Sequence, residues 1–189
     1  CPSMCKCTPE ETILCNRAGL KTLPREIATS TISLNLSNNY LRILNTNTFR
    51  NLTFLHSLWL DGNNLTFLTP GTFHALSRLP ELHLNSRLTY LHANTFRGLL
   101  NLISLDLSHC NIFEIHPLLF SHLPSLERLD LASNNMRYVP QAFRNLSSLT
   151  RLNLYLNNNQ ISSISDSAFL YLNKLHFLHL SKNNLSSLP

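Results

Sequence analysis

The segment ISLNLSNNYL at residues 32–41 places leucines at alternate positions and follows them with two asparagines and a further leucine. The same frame returns as HSLWLDGNNL (56–65), ISLDLSHCNI (103–112), ERLDLASNNM (127–136) and HFLHLSKNNL (176–185). Its second leucine recurs at Leu36, Leu60, Leu84, Leu107, Leu131, Leu156 and Leu180. A phenylalanine recurs between these leucines at Phe49, Phe73, Phe96, Phe120, Phe143 and Phe169. A block of about 24 residues is thus repeated seven times.

This period predicts a leucine-rich-repeat solenoid. We expect an α/β-type solenoid dominated by β, shaped as a horseshoe, with one parallel β-sheet on the concave face and an irregular convex side. Side chains alternate along a strand, so the two leucines of each LxL unit point inward and their neighbours point outward. A solenoid of this kind offers a long open surface instead of an enclosed pocket.

Polar residues at one position after each strand are expected to support the turn. The asparagines at this position are Asn39, Asn63, Asn134, Asn159 and Asn183. An asparagine side chain carries donors and an acceptor, so it can satisfy backbone groups in a buried turn. Cys110 occupies the same position, and we predict a buried structural cysteine. The alternatives for Cys110 are a reactive thiol or a metal ligand beside His109.

Two repeats depart from the frame. In LHLNSRLTYL (82–91), Leu84 and Leu88 are four residues apart instead of five, and Arg87 stands where asparagine is expected. We predict a distorted turn there. We also predict a gap in the asparagine ladder, which is the column of asparagines that follow the strands of successive repeats. In TRLNLYLNNNQI (150–161), the pairs Leu152–Leu154 and Leu154–Leu156 both fit the strand. A shift of two residues leaves the same side chains pointing outward, because side chains alternate along a strand. The register near residues 152–161 is therefore left open.

The cysteines predict a cross-linked N-terminal cap. Cys1, Cys5, Cys7 and Cys15 lie within the first fifteen residues. A tight, even cluster favours disulfides and an oxidising compartment, with three possible connectivities. A zinc site is the competing interpretation, but the C-x3-C-x-C-x7-C spacing is not a usual zinc pattern. We expect a disulfide-bonded cap over residues 1–31 and about seven repeats over residues 32–189.

Together with the cysteine cluster, the sequons favour secretion. Five Asn-x-Ser/Thr sites are candidate glycosylation positions: Asn35, Asn51, Asn64, Asn145 and Asn184. The chain begins on cysteine without a signal peptide, as either a mature or a trimmed chain would. These features predict an extracellular protein, at the cell surface or secreted.

Charge and motifs point away from several function classes. The formal net charge is +5, but no two lysines or arginines are adjacent, which disfavours nucleic acid as a partner. No apolar run approaches the 18 or so residues of a membrane span. The sequence contains no GxSxG, HExxH or GxGxxG motif. We therefore predict no enzymatic activity, no catalytic residues, no cofactor and no metal site.

Outward residues of the strands are the candidate binding site. The expected central column is Asn35, Trp59, His83, Asp106, Asp130, Asn153 and His179. The predicted ligand-binding residues are Trp59, His83, Asp106, Arg128, Asp130, Arg151 and Tyr155. Aromatic residues and arginine dominate interface energetics, which favours a protein ligand. Asp106 and Asp130 should be neighbours, with Arg128 and Arg151 compensating their charge. A glycan on Asn35 would crowd the first strand, so we place the ligand on repeats two to six.

The cap pattern, followed by GLKTLP at residues 19–24, resembles the N-terminal cap of extracellular leucine-rich-repeat proteins. Within that class the closest likeness is the Nogo receptor family. It rests on the irregular third repeat, the ladder cysteine of the fourth, LWLDGNNLTFLTPGTF (58–73) and NNLSSLP (183–189). The resemblance implies the pairs Cys1–Cys7 and Cys5–Cys15. It also implies the ectodomain of a lipid-anchored receptor that binds inhibitory ligands on neurons. Such receptors carry a C-terminal cap, so we expect a truncated fragment.

Two other binding functions compete with a receptor. A secreted matrix protein of the small proteoglycan type would bind collagen or self-assemble. A repeat-based immune binder, like the antigen receptors of jawless fish, would have more uniform repeats. The sequence leaves the ligand and the oligomeric state open.

Overall fold

The computed structural model describes residues 1–146, 151–168 and 175–186. The strands are Lys6–Thr8 (β1), Thr12–Leu14 (β2), Ser33–Asn35 (β3), Ile43–Leu44 (β4), Ser57–Trp59 (β5), Phe67–Leu68 (β6), Glu81–His83 (β7), Tyr90–Leu91 (β8), Ser104–Asp106 (β9), Glu114–Ile115 (β10), Arg128–Asp130 (β11), Asn153–Tyr155 (β12) and Phe177–His179 (β13). Nine of them form the main sheet, in the order β1-β2-β3-β5-β7-β9-β11-β12-β13.

The main sheet is parallel except at its first pair. β1 pairs antiparallel with β2, and every later neighbour pairs in parallel. The parallel arrangement follows from the repeat, because each coil returns the chain to the same side before the next strand begins. The antiparallel first pair belongs to the cap, where a short connection of a few residues reverses the chain.

The return segments are irregular, as predicted. They contain two small parallel sheets, β4 with β6 and β8 with β10. They also contain the 3-10 helices Leu119–His122, Gln141–Leu146 and Asp166–Ala168. The described part of the chain includes no α-helix, and none of its helices has the length and apolar character needed to cross a membrane.

Leucine and phenylalanine side chains form one continuous core. Leu34, Leu58 and Leu105, in the middle of their strands, are at most 1% exposed. The phenylalanine of each return segment is also buried: Phe49, Phe73, Phe96, Phe120 and Phe143. The rings of Phe49 and Phe73 stack with centroids 6.0 Å apart. Aromatic contact in this range adds to the burial of apolar area. Phe169 lies outside the described residues.

Asparagines tie successive coils together, as the sequence predicts. Asn134 is an example, since it is only 5% exposed. Its Nδ2 donates to the carbonyls of Leu107 and Leu131 at 2.9 and 3.0 Å. Its Oδ1 accepts the backbone N–H groups of Cys110 and Ile112 at 2.9 and 3.0 Å. Each ladder residue thus satisfies backbone groups of its own coil and of the preceding coil.

Cys110 is a buried free cysteine in the same ladder. Its Sγ donates to the carbonyl of Leu84 at 2.9 Å, which replaces one asparagine contact. Burial raises the pKa of the Cys110 thiol to about 12. The nucleophilic thiolate is therefore scarce at neutral pH, and the structural interpretation of Cys110 is confirmed over the reactive one.

The third repeat has the predicted distorted turn and ladder gap. Arg87 is exposed, and the neighbouring Ser86 is buried in its place. The Ser86 hydroxyl donates to the carbonyl of Asn63 at 3.2 Å, so a shorter side chain makes one contact where asparagine makes several. Two consecutive tight turns follow, from Leu88 N–H to the Ser86 carbonyl and from Tyr90 N–H to the Leu88 carbonyl.

The sixth repeat corrects the expected central column. In β12, Leu154 pairs with Leu129 and Tyr155 pairs with Asp130. The central column therefore contains Tyr155, and our placement of Asn153 there is wrong. Asn153 lies one row earlier, beside Arg128. The Leu154–Leu156 pair sets the strand because it places a ladder asparagine, Asn159, three residues after the second leucine.

The N-terminal cap is cross-linked by two disulfides. They join Cys1 to Cys7 and Cys5 to Cys15, the connectivity that the family resemblance implies. Cys15 is 1% exposed and Cys5 packs against the core. β2 continues directly into the main sheet through β3. The cap thereby covers the first edge of the sheet, which would otherwise present unpaired backbone groups.

Candidate ligand-binding face

The outward side chains of the main sheet form two rows, and together these rows are named the open face. The central row is Asn35, Trp59, His83, Asp106, Asp130, Tyr155 and His179. The preceding row is Ser33, Ser57, Glu81, Ser104, Arg128, Asn153 and Phe177. Successive strands of a sheet lie roughly 4.8 Å apart, so side chains within a row are direct neighbours. Six of the seven predicted binding residues lie in these rows, and Arg151 does not.

Trp59, His83 and Asp106 form the His83 cluster. The rings of Trp59 and His83 stack with centroids 4.1 Å apart and an interplanar angle of 9°. His83 Nδ1 lies 3.5 Å from Asp106 Oδ2. The other oxygen of Asp106 accepts the Ser108 hydroxyl at 2.6 Å and the Ser108 backbone N–H at 2.9 Å. Trp59 points outward from the sheet, as predicted, but it is half-buried and held in one orientation by the His83 ring.

The surroundings of Asp106 stabilise its ionised form. Burial alone would raise the pKa of this carboxyl group. The hydrogen bonds from His83 and Ser108 and the positive charge of His83 act in the opposite direction and outweigh it. The resulting pKa of Asp106 is about 2, compared with a usual value of 3.8. Asp106 is therefore a fixed negative charge on the open face at any physiological pH.

This shift predicts a specific loss of stability in acid. A carboxyl group whose pKa is lower in the folded state stabilises the fold above its unfolded pKa, and that stabilisation is lost as pH falls through the folded pKa. We expect Asp106 to contribute about 2 kcal/mol above pH 4, and to lose it between about pH 4 and pH 2. Urea unfolding of the native chain and of Asp106→Asn across this range measures the contribution. Asp166→Asn, at an exposed acid, is the control, and an equal acid dependence in the native chain and Asp106→Asn would contradict the assignment.

Arg128, Asp130, Tyr155, Phe177 and His179 form the Arg128 cluster. Arg128 Nη2 lies 3.2 Å from Asp130 Oδ2, and its guanidinium carbon lies 4.7 Å above the Tyr155 ring. Tyr155 in turn contacts Phe177, with centroids 5.5 Å apart, and His179, at 6.1 Å. Phe177 and His179 also contact each other, with centroids 6.3 Å apart. The cluster therefore joins an ion pair, a cation–π contact and three aromatic contacts over three strands.

The two clusters meet where Asp106 and Asp130 pair across adjacent strands, as predicted. Each carboxylate has its own partner on the side away from the other. Asp106 faces His83, and Asp130 faces Arg128. The prediction that Arg151 also compensates them is wrong, because Arg151 is exposed in the turn before β12 and forms no ion pair with a described residue. The side chains of the open face are thus aromatic and acidic in the His83 cluster, and cationic and aromatic in the Arg128 cluster farther along the sheet.

Sequence reasoning missed Phe177 and Ser108. Phe177 is 46% exposed and packs on Tyr155. Its signal was present, since it is the outward residue before Leu178 in the last strand. Ser108 acts through the orientation of Asp106, and such a contact is set by side-chain rotamers that the repeat frame does not specify.

Three buried polar atoms of this region lack hydrogen-bond partners among the described residues: His83 Nε2, Asn153 Oδ1 and Asn157 Oδ1. An unpaired buried polar atom costs about 1–3 kcal/mol. Two of the three belong to open-face residues. In the turns after the strands, by contrast, the ladder asparagines provide hydrogen-bond partners for buried backbone groups. The described residues bring together no group of three His, Cys, Asp or Glu side chains that could hold a metal ion.

The candidate glycosylation sites occupy different surroundings. Asn51, Asn64 and Asn184 are exposed. Asn35 is half-buried on the open face, where its Oδ1 accepts the backbone N–H of Ser37 at 2.9 Å. The side chain of Asn145 lies outside the described part.

Sequence comparison relates the chain to repeat-containing receptors. Residues 53–112 and 101–155 match the family model described as Leucine rich repeat, and together they span more than half of the chain. Leucine-rich repeat-containing G-protein coupled receptor 5A of Xenopus laevis is 38% identical over 91 residues, 47% of this chain and 10% of that protein. Human Reticulon-4 receptor-like 2 is 39% identical over 85 residues, 44% of this chain and 20% of that protein. The predicted likeness to Nogo-receptor-like proteins is confirmed, and the chain spans only a tenth to a fifth of these relatives' length.

Solved structures confirm the solenoid architecture. TLR13 in its complex with ssRNA13 superposes with a TM-score of 0.80 at 32% identity, over 89% of this chain and 24% of that one. Human 5T4, also described as Wnt-activated inhibitory factor 1 or trophoblast glycoprotein, gives 0.80 at 28% identity, over 97% of this chain and 71% of that one.

Proposed function

The chain belongs to the leucine-rich repeat family, and we propose that its open face binds a protein ligand as part of a receptor ectodomain of the Nogo-receptor type. In this proposal residues 1–31 are the cap and residues 32–189 are about seven repeats. The parent protein is extracellular, anchored at the cell surface, and glycosylated. The two disulfides and the exposed sequons support an oxidising, extracytoplasmic location.

The observation that carries the proposal is the presence of two clusters of contacting side chains on adjoining strands of the open face. Trp59, His83 and Asp106 are in contact on three strands, and Arg128, Tyr155 and Phe177 are in contact on the next three. Aromatic side chains and arginine are the residue types that contribute most at protein interfaces. Rigid side chains lose little conformational entropy on binding, so pre-formed contacts favour affinity.

The chemistry of the face also indicates what the ligand must provide. The acidic pair Asp106–Asp130 lies at the centre, between the stacked Trp59 and the cationic Arg128. A partner with a basic residue opposite the carboxylates and apolar surface on either side would be complementary.

A triple substitution tests this proposal. We expect Trp59→Ala/Asp106→Ala/Asp130→Ala to reduce ligand affinity about 100-fold or more, since it removes an aromatic anchor and both central charges. The measurement is binding of the multimerised chain to an array of cell-surface and secreted ectodomains, followed by affinity measurement on each positive. The control Phe67→Ala/Glu114→Ala/Asp166→Ala removes one aromatic and two acids from exposed positions away from the open face. Unchanged affinity in the first variant, with its fold intact by circular dichroism, would refute the placement.

A further inference from the structure

Acidic residues are scarce in the first three repeats. Between residues 27 and 105 the only acids are Asp61 and Glu81. Glu81 lies in β7, and Asp61 follows β5 directly, so both belong to the main sheet. The same segment contains five arginines: Arg42, Arg50, Arg78, Arg87 and Arg97. The two acids thus lie in or directly after strands of the main sheet, whereas the five arginines lie in the segments between those strands.

Three cationic or potentially cationic residues form a row in these segments. Arg50, His74 and Arg97 each come one position after a buried phenylalanine of the core. Because Phe49 and Phe73 stack at 6.0 Å, and Phe73 and Phe96 at 6.2 Å, the residues that follow them lie on consecutive coils at a similar spacing. The buried phenylalanines thereby set the row, one side chain per coil.

The row lines an open groove of about 410 Å³. The other lining residues are small or polar and uncharged: Thr46, Asn47, Pro70, Gly71, Ala75 and Asn94. Arg50, His74 and Arg97 are all exposed. Within the described ranges their side chains form no ion pair, hydrogen bond or ring contact. The cations are therefore not neutralised by the protein itself.

Asn94 adds a directed polar group to the groove. Its Oδ1 lies 3.1 Å from Nε2 of His122 on the next coil. With the oxygen occupied in this way, the amide nitrogen of Asn94 remains as a donor. Amide and guanidinium donors together suit an oxyanion, and a planar guanidinium can bind two of its oxygens at once.

We propose that this groove binds a sulfated polysaccharide of the glycosaminoglycan type. The ligand must carry anionic groups at intervals, because the cations are arranged one per coil along the groove and are not clustered at one point. Among the groove-lining residues only His74 carries a ring, and none is tryptophan, tyrosine or phenylalanine. Because single-stranded nucleic acids are usually held by several such rings in succession, the lining favours a polysaccharide over a nucleic acid. Such polysaccharides occur outside cells, so the inference adds a second surface to the proposed extracellular function, and it does not depend on the open face.

A charge-matched pair of variants tests the proposal on the full 189-residue chain. Arg50→Ala/Arg97→Ala removes both groove arginines. Arg42→Ala/Arg87→Ala removes two exposed arginines of the same repeats that do not line the groove. The probe is an immobilised heparin oligosaccharide, with affinity measured by surface plasmon resonance at several salt concentrations. The Asn51 sequon adjoins Arg50, so all chains are deglycosylated before measurement.

We expect the groove variant to lose about fivefold in affinity for each arginine, roughly 25-fold in all, because a cation close to a dense anionic ligand contributes on this scale. Its salt dependence should also become shallower, since fewer counterions are released. The control variant should lose about threefold or less, as distant charges are screened.

Three outcomes would overturn the proposal. They are no heparin binding by the native chain, equal losses in the two double variants, and tighter binding of single-stranded RNA than of heparin at the same salt concentration. The open-face triple variant should bind heparin as the native chain does. A failure of the groove proposal and a failure of the protein-ligand proposal are thus distinguishable in the same set of proteins.

Discussion

Replacing Asn134 with alanine is expected to lower the free energy of unfolding by about 3–5 kcal/mol. The side chain satisfies the backbone N–H groups of Cys110 and Ile112 and the carbonyls of Leu107 and Leu131. Alanine leaves these four buried groups without their partner. Each unsatisfied buried group costs about 1–3 kcal/mol, and partial relaxation of the turn reduces the sum.

Urea denaturation measures this effect, and hydrogen exchange locates it. The amides of Cys110 and Ile112 should lose protection more than those of the first repeats, because in a solenoid each coil contacts only its neighbours. Asn135→Ala is the matched control, since Asn135 is the next residue in sequence and is exposed. Surface substitutions of this kind usually change stability by less than about 0.5 kcal/mol. Equal effects of the two substitutions would contradict the structural role of the ladder.

Gly98→Ala is expected to lower the free energy of unfolding by about 2–4 kcal/mol, for two independent reasons. Gly98 has a φ of +95°, which an L-residue adopts only with strain. A Cβ atom at this position would also lie 2.6 Å from the carbonyl oxygen of His74 and 2.7 Å from its Cα. These are backbone atoms, so the contact can be relieved only by separating the second and third coils.

Gly19→Ala separates the two contributions. Gly19 also has a positive φ, +71°, but a Cβ there would meet no heavy atom within 4 Å. Gly19→Ala should therefore lower the free energy of unfolding only through the backbone strain of a positive φ, by about 1–2 kcal/mol. The difference between the two glycine variants in urea denaturation measures the close approach of the coils. Equal losses of unfolding free energy in the two variants would show that the close packing of Gly98 on His74 does not contribute to the effect.

Gly98 also connects the fold to the proposed polysaccharide groove. Its close packing on His74 occurs in the shortened third repeat, next to Arg97. A side chain at residue 98 would move the third coil and so alter the spacing of the cationic row. The same substitution should therefore weaken heparin binding in a variant that remains folded.

Sequence alone determined the architecture because the information is periodic. The alternation of leucines specifies which strand residues are buried, and the repeat of about 24 residues places equivalent positions side by side. The core phenylalanines, the ladder asparagines and the pairing of Asp106 with Asp130 all follow from counting along the chain. The family resemblance further supplied the disulfide connectivity, where the cysteine spacing left three possibilities.

Tertiary structure decided the features that depend on contacts between coils. A shift of two residues in the sixth repeat preserves facing, so only the packed sheet places Tyr155, and not Asn153, in the central column. Asp106 is paired with His83 and Ser108 instead of Arg151, because the reach and rotamer of each side chain decide its partner. The alignment of Arg50, His74 and Arg97 in a groove also appears only when the phenylalanines stack. Periodicity specifies a residue's row and face, whereas its partner is set by three-dimensional packing.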